Sequence, residues 1–151
     1  MSRKKEWYMD YATHAFVRYA NLGCPTREEY ENRIRQDCYT RFAFQEPSFI
    51  LSKANAEVSS RIPLLEDIDA VNRVIDILRQ QDKQHIIQAI RDVYFVNPKG
   101  KPERGVIVER VTAYAIKCPA STKAVYEWLK SARLLFAQLR GLNTGRDDEK
   151  W

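Results

Sequence analysis

The stretch from Lys117 to Leu139, KCPASTKAVYEWLKSARLLFAQL, decides how the fold is interpreted. Its Cys-Pro pair interrupts the preceding helical pattern, and Ser121 is a typical N-cap for a following helix. Beyond the serine, apolar residues recur at intervals of four and three, at Val125, Leu129, Ala132, Phe136 and Leu139. This is the period of one helical face, and Gly141 stands where a C-cap is expected. The stretch therefore predicts a long helix from about residue 121 to 139 with one apolar side.

The other side of this predicted helix is mostly cationic. At 100° per residue, measured from Val125, a single sector of about 60° to 160° holds six polar or basic residues. They are Thr122, Lys123, Tyr126, Lys130, Arg133 and Arg140. A helix divided in this way can bury one face in a domain core and offer the other to a groove of double-stranded DNA.

The rest of the chain has the same spacing of three and four, and the alternation typical of strands is absent, so we predict an all-α protein. Helices are expected over about residues 4–20, after the Thr26–Glu29 capping box, beyond Pro63, after an N-cap at Asp82, and over about residues 103–116. The segment from 43 to 63 predicts a connection with a short helix. We divide the chain into an N-terminal helical region (1–60), a C-terminal helix-turn-helix domain (61–142) and a polar tail (143–151).

The net charge of +5 is concentrated in one segment. Residues 1–95 contain 14 basic and 14 acidic residues, whereas residues 96–142 contain nine basic and three acidic residues. Concentrated positive charge on a neutral scaffold favours phosphate binding, although a solvated basic face would have the same composition. Charge alone therefore leaves both interpretations open.

Several function classes lack their sequence signatures. Cys24, Cys38 and Cys118 are too widely spaced for a metal knuckle or a disulfide framework, and neither His14 nor His85 has a paired cysteine or carboxylate nearby. The glycine-rich phosphate loop, the HExxH motif and the GxSxG motif are absent. We therefore expect no enzyme activity, cofactor or metal. With neither an apolar run of about 20 residues nor a signal-peptide pattern, we expect a cytoplasmic protein without membrane contact.

Two helices joined by a tight turn, with a serine-capped and basic second helix, form the layout of a helix-turn-helix unit. The first residues of the second helix would lie nearest the base edges; they are Ser121, Thr122, Lys123 and Tyr126. Other cations of the segment would hold phosphates. They are Lys99 and Lys101 in a loop, Arg104 at the start of the preceding helix, and Lys130, Arg133 and Arg140 further along the second helix.

The segment from His85 to Leu139 resembles the C-terminal helix-turn-helix of sigma-factor region four and of the RinA and ArpU families of phage transcriptional regulators. The resemblance lies in the aromatic pair Tyr94-Phe95 before the motif, the serine that opens the second helix, and the pairs Ala124-Val125 and Ala132-Arg133 within it. The loop over 96–102 is longer and more basic than the turn usual in those families. The resemblance implies a phage or prophage regulator that binds promoter DNA, with RNA polymerase as a second partner.

Other functions remain open at this stage. The chain could be a small DNA-packaging adaptor that recognises a genome end and forms a ring, or a helical adaptor whose cationic face binds an acidic protein. The aromatic residues of the N-terminal half could belong to the core or to a homodimer interface. The leading hypothesis is a sequence-specific regulator that reads the major groove with the helix from about 121 to 139.

Overall fold

The computed structural model describes residues 2–95 and 104–142, and these residues form an all-α protein, as predicted. It contains α1 (Ser2–Asn21), α2 (Arg27–Arg41), α3 (Pro47–Ser60), α4 (Ile62–Gln80), α5 (Gln84–Ile90), a π-helical turn (Arg91–Phe95), α6 (Arg104–Lys117) and α7 (Thr122–Arg140). No strand occurs within the described ranges. None of the helices in them is long and apolar enough to cross a bilayer.

The chain forms two compact units, and the first is discontinuous in sequence. Unit 1 comprises residues 1–24 and 70–151, and unit 2 comprises residues 25–69, so the boundary falls within α4. This grouping differs from the sequence-based division at residue 60, because it places α1 with the C-terminal helices. Unit 1 carries 19 basic and 11 acidic residues, a net charge of +8, whereas unit 2 carries 6 and 9, a net of −3.

An aromatic cluster joins α1 to α7 in the core of unit 1. The Phe16 ring of α1 lies 5.7 Å from the Phe136 ring of α7 and is stacked at 5.6 Å on Tyr94 of the π-helical turn. Phe16 and Phe136 are fully buried, and Tyr94 is almost fully buried. Since such rings each remove a large apolar area from water, this cluster stabilises unit 1.

The sequence predicts that Trp7, Tyr11, Phe16 and Tyr19 lie on the buried side of the first helix, and the structure confirms this only in part. Phe16 and Tyr19 are buried, but Tyr11 is half-buried and Trp7 is 45% exposed. Trp7 packs edge-on against Tyr11 at 6.2 Å, so it lies at the margin of the core. Helical periodicity gives the direction of a side chain around the axis, but not how far along the helix its packing partner extends.

The helices that precede α7 are tied together by hydrogen bonds to the backbone. The Tyr114 hydroxyl of α6 donates to the carbonyl oxygen of His85 at 2.8 Å, and the Arg110 guanidinium donates to the carbonyl oxygen of Val93 at 2.8 Å. Burial raises the pKa of Tyr114, and a hydrogen bond with Cys118 acts in the same direction, so the phenol is neutral at physiological pH. These contacts place α6 beside α5 and the π-helical turn.

Unit 2 contains a helical hairpin of α2 and α3. The predicted capping box is confirmed: the Glu29 amide donates to the Thr26 hydroxyl at 3.1 Å, and the Thr26 amide donates to the Glu29 carboxylate at 2.9 Å. A spacing of four predicts one stripe of α2 for Tyr30, Ile34, Cys38 and Phe42; the first three are buried and Phe42 is half-buried. The connection expected over 43–63 is wrong in one respect, since α3 has 14 residues and packs along α2.

The N-cap expected at Asp82 is also wrong. Lys83 occupies the N-cap position of α5, without a side-chain cap. Asp82 itself adopts a left-handed backbone with φ of 59° and ends the turn after α4. Aspartate tolerates this conformation better than most residues.

Candidate nucleic-acid interface

Helix α7 has the ends that its sequence predicts. The Ser121 hydroxyl accepts a hydrogen bond from the Ala124 amide at 3.0 Å, and Gly141 ends the helix in a left-handed conformation with φ of 71°. Both caps satisfy backbone groups that a helix terminus leaves without internal partners. Because the Ser121 hydroxyl serves as the cap, it fixes where α7 begins.

The apolar side of α7 is buried from Val125 to Phe136, and Leu139 at its end is half-buried. Val125, Ala132 and Phe136 are fully buried, and Leu129 is 1% exposed. Trp128 lies at the edge of this side, where its indole packs edge-on against the His85 ring at 4.6 Å. The orientation of α7 about its own axis is therefore set by the core.

The opposite side of α7 is exposed over its first half. Four residues there, the cationic row, are Thr122, Lys123, Tyr126 and Lys130. They lie on consecutive turns and all face solvent. The row combines two ammonium groups with two hydroxyl groups, which suits both phosphates and base edges.

The second half of the same sector has different surroundings. The Arg140 guanidinium lies 3.4 Å from the Tyr11 hydroxyl of α1, and Ala137 in this sector is fully buried. Arg133 is half-buried, and its Nε lies 3.4 Å from the carbonyl oxygen of Leu129. Helix α1 packs along this part of α7. The cationic sector is therefore open from Thr122 to Lys130 and partly covered beyond it.

Arg133 also belongs to the electrostatic surroundings of Tyr94. Burial raises the pKa of the Tyr94 phenol, whereas the Arg133 cation and a hydrogen bond with Thr13 of α1 oppose the rise. Burial has the largest effect, so this phenol is neutral at physiological pH. Arg133 is half-buried whereas Lys123 and Lys130 are exposed, so Arg133 is less available to a phosphate.

The loop cations of the predicted site have no structural outcome. Lys99 and Lys101 lie outside the described residues, as does the Arg104 side chain, although α6 does begin at Arg104. Their assignment to phosphates therefore stays a prediction.

One cation of the basic segment has a partner that sequence reasoning missed. The Lys117 ammonium lies 3.1 Å from the Asp92 carboxylate, which also accepts a hydrogen bond from the Gln88 amide at 2.8 Å. Lys117 and Asp92 are 25 positions apart, so local spacing carried no signal of the pair. The ion pair links the end of α6 to the π-helical turn and neutralises part of the excess charge.

No protein-family model, curated protein or solved structure matches this chain. The ligand class of the cationic row is therefore inferred from its side chains. Among the described residues no group of three or more His, Cys, Asp and Glu side chains could hold a metal ion. The row itself offers cations and hydroxyl groups, which are donors for anions.

Replacing Ser121 with alanine is expected to lower the free energy of unfolding by about 1 kcal/mol, because the Ala124 amide loses its cap. Urea denaturation followed by circular dichroism measures the change. Ser131→Ala is the matched control, since Ser131 is exposed within α7 and alanine has the higher helix propensity there. The cap assignment would be contradicted if both variants were as stable as the parent.

Proposed function

We propose that this protein is a sequence-specific regulator of transcription that binds double-stranded DNA and is encoded by a phage or prophage. In this proposal α6, the turn at 118–121 and α7 form a helix-turn-helix unit, and α7 enters the major groove. Thr122, Lys123 and Tyr126 contact base edges, and Lys130 contacts the phosphate backbone. RNA polymerase is the second partner that the sequence resemblance implies.

The observation that carries the proposal is the two-sided character of α7. Its apolar side is buried from Val125 to Phe136, while the cationic row faces solvent at the beginning of the same helix. In helix-turn-helix proteins the N-terminal residues of the second helix reach the base edges, and the major groove admits one helix. The exposed half of α7 is the half that this geometry requires.

The charge of unit 1 supports the same ligand. Its net charge of +8 attracts a polyanion, whereas unit 2 at −3 does not. Arg133 and Arg140 contribute to this field even though their side chains are partly covered. We therefore assign them a smaller share of the binding energy than Lys123 and Lys130.

Titration of duplex DNA at two salt concentrations tests the proposal. Each phosphate contact is expected to add about 0.9 to the slope of log K against log salt. With contacts from Lys99, Lys101, Arg104 and Lys130, affinity should fall on the order of 100-fold between about 50 and 200 mM salt. An affinity that does not change with salt, or no binding at all, would contradict DNA binding. Either result would favour an acidic protein as the ligand of the cationic row.

Selection of bound sequences from a random duplex pool tests the specificity. A regulator should enrich a short motif, because direct contacts to base edges discriminate between base pairs. A pool that stays random after several rounds, despite salt-dependent binding, would contradict sequence-specific reading and leave only backbone binding.

A further inference from the structure

Helix α6 exposes an apolar face to solvent. Measured from Gly105 at 100° per residue, six exposed residues fall within a sector of about 140°. They are Gly105, Val108, Glu109, Thr112, Ala113 and Ile116, and together they form the α6 face. Val108 is 46% exposed and Ile116 is 78% exposed. Contiguous exposed apolar residues mark interaction surfaces more often than isolated ones do, so this face indicates a partner.

Polar groups at the α6 face have partners within the chain. The Thr112 hydroxyl donates to the carbonyl oxygen of Val108 at 3.0 Å, so it needs no acceptor in a partner. The Lys117 ammonium, which lies beside the face, is 3.1 Å from the Asp92 carboxylate. Glu109 is the one charged residue of the face itself. An apolar surface can therefore approach the face without leaving several polar groups unpaired.

The order of large and small residues along the α6 face is self-complementary. Gly105 lies at one end and Ile116 at the other, with Val108 and Ala113 between them. Antiparallel packing of two such helices about a two-fold axis between residues 110 and 111 brings Ile116 of one copy onto Gly105 of the other. The same axis brings Val108 onto Ala113. Each large side chain thus meets a small residue, as in the interdigitated packing of helices.

The described part of the chain does not itself require glycine at position 105. Gly105 does not have a positive φ, and a Cβ atom added to it would meet no described atom within 4 Å. Glycine lowers the stability of a helix relative to alanine. The close approach of a second helix is a reason for glycine that involves no neighbour in the same copy. The open space beside Gly105 is where the two-fold pairing places the Ile116 side chain of the other copy.

We propose that two copies of this protein associate through the α6 face, with the two helices antiparallel about a two-fold axis. Such a contact uses the same surface on both copies, so association ends at a dimer. All residues of the face belong to unit 1. The inference does not rest on DNA binding.

The size of the α6 face sets the expected strength of the contact. It extends over about 16 Å of a helix that is about 10 Å wide, so it offers less than the roughly 800 Å² per partner of a stable interface of standard size. The two Glu109 carboxylates also lie near the axis, where they repel each other. The dimer should therefore be weak, and its fraction should depend on protein concentration. Sedimentation equilibrium from micromolar to submillimolar protein is the appropriate measurement.

Wild-type protein is expected to show an average mass that rises with concentration from the monomer value of 17.7 kDa toward twice that value. Ile116→Lys should raise the dissociation constant at least about 10-fold, because burial of an isoleucine side chain contributes that factor or more. Leu51→Lys is the matched control, since it adds the same charge at an exposed aliphatic residue outside the α6 face, and it should dimerise like the wild type. Both residues are exposed, so both variants should keep their helical circular dichroism.

Exchanging the large and small residues across the axis tests the register. Gly105→Leu alone places the new leucine against Ile116 of the other copy and should weaken the dimer. Ile116→Ala alone leaves a gap over Gly105 and should weaken the dimer as well. In the double variant the new leucine meets the new alanine, so its dimer should be tighter than that of either single variant.

Recovery of the dimer in the double variant would support both the α6 face and the antiparallel register. A wild-type protein that stays monomeric throughout the concentration range would overturn the proposal, as would a mass that continues to rise beyond that of the dimer. The proposal would also be wrong if Ile116→Lys dimerised as well as the wild type, or if the double variant dimerised no better than either single variant.

Discussion

Lys123→Ala and Tyr126→Ala are each expected to weaken binding to the cognate duplex by about 5- to 150-fold, the equivalent of ~1 to 3 kcal/mol for a direct base contact. Their losses on random duplexes should be smaller, because non-specific binding depends on phosphates. Both side chains are exposed at the beginning of α7, where base contacts are expected. Titration of the selected duplex and of a random duplex with each variant measures the two losses.

Two other lysines provide the comparison for this experiment. Lys101→Ala should weaken binding to cognate and random DNA alike, since it is assigned to a phosphate. Lys53→Ala removes the same charge from unit 2 and should change neither affinity appreciably. Equal losses on the two duplexes for Lys123→Ala, Tyr126→Ala and Lys101→Ala would show that the proposed roles are wrong.

Phe136→Ala is expected to lower the free energy of unfolding by about 3 to 5 kcal/mol, the usual cost of truncating a fully buried phenylalanine. The ring packs on Phe16 at 5.7 Å and on Tyr11 at 6.2 Å, so its removal leaves a cavity between α1 and α7. Urea denaturation provides the measurement. Such a loss is a large fraction of the stability of a small domain.

Tyr126→Ala is the matched control for stability, because it removes an aromatic ring from the exposed side of the same helix. Its effect on unfolding should be within about 1 kcal/mol. If Phe136→Ala were as mild as Tyr126→Ala, the packing of α1 on α7 in unit 1 would be wrong. The pair of variants thus tests which side of α7 is buried.

Local sequence features predicted the helices well wherever caps and periodicity agreed. Ser121, Gly141 and the interval of four and three predicted α7, and the Thr26–Glu29 capping box predicted the start of α2. Each of these signals depends on residues only a few positions apart. It therefore does not depend on the tertiary contacts made by the rest of the chain. Helix α3 was underestimated, because its exposed Phe49 and Leu51 blur the apolar stripe.

Long-range pairing could not be predicted in the same way. Periodicity shows that α1 and α7 each have an apolar side, but nothing in either helix specifies that Phe16 meets Phe136. For the same reason the helical projection grouped the six residues of the cationic sector on one side of α7, but it could not show that α1 covers part of that side. Arg140, for example, lies against Tyr11 of α1. Exposure depends on the partner helix, whereas a projection contains one helix only.

The discontinuity of unit 1 has a consequence for synthesis on the ribosome. Phe16 is translated 120 positions before Phe136, so α1 emerges long before the helix that covers its apolar side. All of residues 25–69 appear in the interval, which allows the α2–α3 hairpin to form first. Between these two points the nascent chain carries an uncovered amphipathic helix, and transiently exposed apolar surface of this kind is prone to aggregation.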